Sequence, residues 1–186
     1  MTSRSRDRSA ARRALIMTHA RRLFGRHGYE RTSIAMIARS AGISQGLLYN
    51  YFDGKDALLA ALIDEVLADA HALFDIADHS DTPSERLPRF IHAAFELVRR
   101  HHHVWRLWYG LRMQPAMAGS LGGALSAWTA ELRDVLTRYA ADAALPNPNL
   151  EAELLFALID GAAQHYVLEP NRYPLADIEG AIIARY

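Results

Sequence analysis

Two short helical segments hinged on one glycine constrain this chain more than any other feature. Ile34, Ile37, Ala38 and Ala41 recur at helical spacing before Gly42, and Leu48 and Phe52 do so after it. Thr32 and Ser33 are hydroxyl caps for the first segment, and Ser44 caps the second. Gly42 accepts a turn conformation that a side chain would oppose. Ala38 is small where the helices would cross, and Ile37, Ile43 and Leu48 would bury the inside of the unit. This is a helix-turn-helix over about residues 33–52, and its steep turn lets the second helix protrude into a DNA major groove. Left outside on that helix are Gln45, Gly46, Leu47, Tyr49, Asn50 and Tyr51, a mixture of amide, hydroxyl and apolar groups suited to base edges and phosphates.

The rest of the chain is also helical in pattern, with no convincing period-two strand. A first helix over about Arg8–His27 buries Ile16, Ala20, Leu23 and Phe24 and stops at Gly28. Asp53 can cap a fourth helix from near Lys55 to near Asp78. Thr82, Pro83 and Glu85 set a cap, a first-turn proline and a capping-box carboxylate before a fifth helix that ends near Arg100. Further helices are expected over about Val104–Met113, Ala116–Ala141 and Leu150–Leu168, with a last one closing the chain. The fold class is therefore all-α, with nine helices in two parts. Residues 1–54 would form an arm and DNA-binding head, and 55–186 a larger helical body, with helix 55–79 as connector.

Charge separates the two parts. Residues 1–55 hold ten Arg and one Lys against Asp7, Glu30 and Asp53, a surplus of eight positive charges that the remainder cancels. A basic head facing a polyanion explains this asymmetry, and a solvated arginine-rich tail is the plainer alternative. The 51% hydrophobic content is that of a globular chain, and the lack of cysteine excludes disulfides and thiol chemistry. The Arg- and Ser-rich start lacks the apolar stretch of a secretory signal, and its composition superficially matches a transit peptide. The longest apolar runs, such as Ala57–Ile63, are far too short to span a bilayer, so a soluble, cytoplasmic, nucleoid-associated protein is expected. No GxSxG, HExxH, GxGxxG or Walker loop is present, which argues against an enzyme. No cofactor is expected. His101, His102 and His103 point about 100° apart on a helix and cannot converge on one metal ion.

The stretch GYERTSIAMIARSAGISQGLLYNYFDGKDALLAAL, residues 28–62, closely resembles the DNA-binding signature of the TetR family of transcriptional regulators. The shared pattern is an aromatic after Gly, a Thr/Ser cap, Ile-Ala, Ala-Gly-Ile-Ser, a small residue, Leu-Tyr, a His or Tyr, Phe, and a Lys leading into the fourth helix. The resemblance implies roles for individual positions. Thr32 and Ser33 would meet a phosphate at a helix N-terminus. Gln45 would read adenine, Gly46 would let the backbone approach, and Leu47 would touch a thymine methyl. Tyr49, Tyr51 and Lys55 would fix register on phosphates. Tyr51 stands where His is commoner, and Asn50 stands where many relatives carry an aromatic. Arg4, Arg6 and Arg8 would follow the minor groove or the backbone as a flexible arm, or lie disordered.

In the body, Trp105, Trp108, Tyr109, Arg112 and Met113 crowd one short helix, with Phe74, Phe95, Met117, Trp128 and Phe156 on neighbours. These residues form either a plain core or a pocket for a small apolar or aromatic inducer, and the resemblance implies the pocket. The eighth helix is apolar on two faces, so it must be covered on both. Leu154, Leu158, Gly161, Ala162 and His165, with Ile178 and Ile182 of the last helix, are the expected homodimer contact. The function implied is that of a repressor on palindromic double-stranded operator DNA, released by an inducer. A ligand-independent architectural or partner-regulated DNA-binding factor is the alternative.

Overall fold

The computed structural model describes the backbone of residues 3–80, 82–111 and 120–186 and most of their side chains. Arg112, Met113 and Met117 lie outside the described residues. Among the described residues the chain forms nine helices and no strand. They are α1 (Ser3–His27), α2 (Ile34–Ser40), α3 (Gln45–Tyr49), α4 (Lys55–Asp78), α5 (Pro83–Arg100), α6 (His102–Leu111), α7 (Ser120–Asp142), α8 (Pro148–Leu168) and α9 (Leu175–Arg185).

Local chemistry accounts for most of the ends. Gly28 stops α1 with φ +81°, its N–H bonded to Phe24 O at 2.9 Å. Asn147 caps α8 by accepting from Leu150 N, with Pro148 in the first turn. α7 closes in a Schellman motif, with Ala144 N bonded to Ala141 O and Leu145 N to Ala140 O. Ala144 holds the left-handed position at φ 55°, where glycine is usual and alanine costs about 1–2 kcal/mol. Two local expectations fail. The start of α1 at Ser3 puts the expected flexible arginine arm on helical backbone, ahead of the expected start near Arg8. Thr82 makes no side-chain cap bond, and Glu85 pairs instead with Arg89 at 2.8 Å, so the capping box does not form.

The chain divides into two compact units, residues 1–66 and 67–186, and the division falls inside α4, the expected connector. Polar ties hold the first turns of α4 to the head. Arg21 on α1 pairs with Glu65 at 2.7 Å, and Lys55 donates to Tyr29 O at 3.0 Å.

In the second unit the buried faces of α5, α7, α8 and α9 form one core that includes Leu87, Phe90, Phe95, Leu136, Tyr139 and Leu155. Phe74 stacks on Phe90 at 4.4 Å, and Phe90 meets Tyr139 edge-on at 5.8 Å. The buried Tyr139 hydroxyl donates to Asp78 at 2.7 Å. Burial tends to raise the Asp78 carboxyl, but that hydroxyl together with Arg138 and Arg86 outweighs it and holds the group below its ordinary range. Glu179 of α9 is buried against α5, where His92 and Arg99 satisfy its two oxygens.

Candidate nucleic-acid interface

The helix-turn-helix in the first unit is assembled from caps and one tight turn. Ser33 takes an extended backbone, and its hydroxyl oxygen accepts from Met36 N at 3.2 Å. Ser44 does the same for Leu47 N at 3.1 Å. Gly42 sits between them at φ +66°, while Ile43 N reaches back to Ala38 O at 3.0 Å. Ile37, Ala38 and Leu48 are buried, and Phe52, past the end of α3 rather than on it, closes the same interior.

This packing leaves the outer face of α3 clear. Gln45, Gly46, Tyr49 and Asn50 are exposed, and Leu47 and Tyr51 are half-buried. Tyr49 keeps 51% of its surface although it is a large aromatic, so nothing in the head covers it. Ser33 is exposed, and its hydroxyl proton stays free to donate to a phosphate while its oxygen serves the cap.

Thr32 requires a correction. It is 1% exposed, and its hydroxyl donates to Gly28 O at 2.7 Å and Leu23 O at 3.3 Å. With its single proton shared between these two carbonyls and its side chain turned inward, Thr32 ties the loop after α1 to that helix instead of facing solvent as expected. Lys55 is held by more than the sequence suggested. Its ammonium lies 4.2 Å over the Tyr29 ring besides donating to that residue's carbonyl. Tyr29 in turn donates its hydroxyl to Asp56. Burial first, then the Asp56 carboxylate, push the Tyr29 phenol well above its ordinary range, so it remains a donor. An ammonium has three protons, so Lys55 keeps capacity for a phosphate. Lys55→Ala is expected to weaken operator and random DNA by similar factors and to lower the salt slope by roughly one unit, read by titrating both duplexes against salt. Loss confined to the operator would contradict a phosphate role.

Sequence reading missed the Tyr29 hub and a second cluster, Ser40 with His19 and Arg22. Arg22 donates to Ser40 Oγ at 2.6 Å, and His19 Nδ1 lies 2.7 Å from the same oxygen. The aromatic after Gly28 was a signal for the first, but no local pattern marks the second.

In the second unit, four leucines of α8 remain uncovered, namely Leu150 at 53%, Leu154 at 40%, Leu158 at 39% and Leu168 at 54%. Gly161 is half-buried, and His165 is exposed with its ring stacked on Tyr173 at 5.6 Å. Ala162 and Ile182, expected at a dimer contact, are buried in the protomer's own core, and Ile178 packs against that core. They belong to the inner stripe of α8 and the face of α9 turned toward it.

The expected ligand residues also divide. Phe95 is fully buried in the main core, and Phe74, Trp128 and Phe156 pack on that core's edge. Trp105 and Tyr109 cover a smaller cluster of Val98, Ala163 and Val167, and Trp108 is half-buried on α6. The Trp105 ring lies 6.2 Å from both Tyr109 and Trp128. Its indole N–H is buried without an acceptor among the described residues. Tyr109 donates to Asp160 Oδ1 at 2.9 Å. The described residues contain no His/Cys/Asp/Glu group able to hold a metal and no helix long and apolar enough to cross a membrane.

A capped helix-turn-helix with a clear recognition helix, joined to a separate helical body, defines a DNA-binding regulator of transcription. Residues 16–62 match the family model for bacterial regulatory proteins of the tetR family, and residues 83–186 match that for the C-terminal part of BetI-type transcriptional repressors. The chain belongs to the TetR family. It is 31% identical over 176 residues to the HTH-type transcriptional regulator PksA of Bacillus subtilis, covering 87% of this chain and 81% of that protein. To the HTH-type transcriptional regulator HbdR of Aromatoleum sp. it is 37% identical over 95 residues, half of this chain but only 36% of that longer relative. A TetR-like transcriptional regulator from Rhodococcus sp. RHA1 shares the fold with a TM-score of 0.78 at 23% identity, covering 95% of each chain.

Proposed function

We propose that the protein is a homodimeric repressor that grips a palindromic operator with two copies of α3 and releases it when a small apolar or aromatic inducer enters the body. The observation that carries this reading is the uncovered leucine row on α8. A second copy laid against that row buries it, and a twofold protein presents two recognition helices to twofold DNA. The inducer side is supported by the Trp105, Tyr109 and Trp128 cluster, where the unpartnered indole N–H of Trp105 offers a donor to a ligand acceptor. Both units share α4. A ligand with different affinities for two placements of α4 would change the spacing of the recognition helices, and it works only through that difference. Acting on DNA, the protein would reside in the cytoplasm, at the nucleoid.

Gln45→Ala tests the reader. The variant is expected to lose about 1–3 kcal/mol on the operator and to relax preference at one base pair per half-site, measured by selection of binding sites from a random library. An unchanged site preference would remove Gln45 from the reading face.

A further inference from the structure

One side of α1 carries a row of exposed arginines, of which the fold uses only Arg22, through Ser40 and His19. Arg8, Arg12, Leu15, His19, Arg22 and Arg26 recur at spacings of three and four and therefore share a face, away from the buried Ile16, Ala20 and Phe24. Arg8, Arg12, Arg22 and Arg26 are all exposed. Among the described residues none of the four forms an ion pair with a carboxylate. From Arg8 to Arg26 the row runs roughly 27 Å. It is fastened to the helix-turn-helix through Arg22 and His19, which both meet Ser40, the last residue of α2.

We propose that this face is a second DNA-contacting surface, laid along the phosphodiester backbone of the duplex whose major groove α3 enters. The inference rests on the DNA-binding reading above and adds to it a contact outside the helix-turn-helix. A linear row of guanidinium groups with no carboxylate to neutralise them complements a linear polyanion, and its length matches about eight base pairs of duplex at 3.4 Å each. A membrane surface fits poorly, because such binding needs an exposed apolar face and the apolar side of α1 is buried, leaving Leu15 alone beside the arginines. The contact reads no bases. It adds affinity for any duplex, makes binding steeper in salt, and orients the head before α3 finds its site.

The test is the full chain carrying Arg8→Gln, Arg12→Gln and Arg26→Gln together. Arg22 is left in place because it holds Ser40. Binding is followed by fluorescence anisotropy on a random-sequence duplex of about 30 base pairs and on an operator duplex, between about 50 and 200 mM salt. The expected result is a salt slope shallower by about two to three units on both duplexes, with base preference unchanged. The matching Arg→Lys triple variant should restore the slope, because point charges suffice for counterion release. Parent-like slopes in the glutamine variant, at an unchanged melting temperature, would overturn the proposal. So would a loss confined to the operator, or lost binding to phosphatidylglycerol vesicles with the DNA slopes intact. If the parent binds neither duplex, the regulator reading fails with it. If the parent binds and only the slope is unmoved, this inference alone fails.

Discussion

Leu154→Glu combined with Leu158→Glu is expected to convert the protein to a folded monomer and to lower operator affinity by about 10²–10⁴-fold. That range is the avidity lost when two linked half-site contacts become one. Both leucines are about two-fifths exposed in the single chain, so a carboxylate at either position can reach water in the protomer. At a paired α8 face the same carboxylates would be buried without a partner, which costs several kcal/mol. Gly161→Leu approaches the same face differently. A Cβ built at Gly161 meets no heavy atom within 4 Å, so the protomer has room for a side chain, and the bulk acts on whatever lies against α8. Sedimentation velocity beside far-UV dichroism reads both variants. A double-glutamate variant that still sediments as a dimer would move the interface off this row.

The second large effect concerns the interior. Phe95→Ala is expected to destabilise the body by about 3–5 kcal/mol. That is a large share of the roughly 5–15 kcal/mol holding a typical domain, and early melting should follow. The reason is placement. Phe95 is fully buried among Phe90, Leu136, Tyr139 and Leu155, so truncation opens a void in packed core rather than enlarging a site already open. Trp108→Ala, at a half-buried position on α6, should melt much closer to the parent. An unchanged melting temperature for Phe95→Ala would contradict the core assignment and return Phe95 to the residues a ligand could touch.

Much of the head was readable because its determinants act within a few residues. Ser33 and Ser44 bond to N–H groups three positions along, and Gly28 and Gly42 take the positive φ angles that side chains resist. The recognition face followed from those limits, since burying Ile37, Ala38 and Leu48 leaves Gln45, Gly46, Tyr49 and Asn50 outside. The same local reasoning misjudged Thr82 and the arginine arm. Glu85 had a competing partner in Arg89 one turn on, and α1 carries helical backbone back to Ser3.

The sequence by itself determined an all-helical chain, the position of the turn at Gly42, the caps on either side of it, and a basic head distinct from the body, because spacing, capping and charge are properties of neighbouring residues. Which of two chemically similar groups does which job was left to the tertiary structure. Thr32 and Ser33 are adjacent hydroxyls, and the Leu23 carbonyl on α1 helps draw Thr32 inward while Ser33 stays outside. α8 has two apolar stripes of similar composition, and only the packing of α5, α7 and α9 put Leu155 and Ala162 in the core and left Leu154 and Leu158 uncovered. Phe95 and Trp105 are both aromatic, yet one is enclosed by several helices and the other covers a small cluster at its edge. Such choices depend on contacts between different helices and the loops beside them, whose geometry exists only once the chain has folded and solvent has been excluded from one side of each helix.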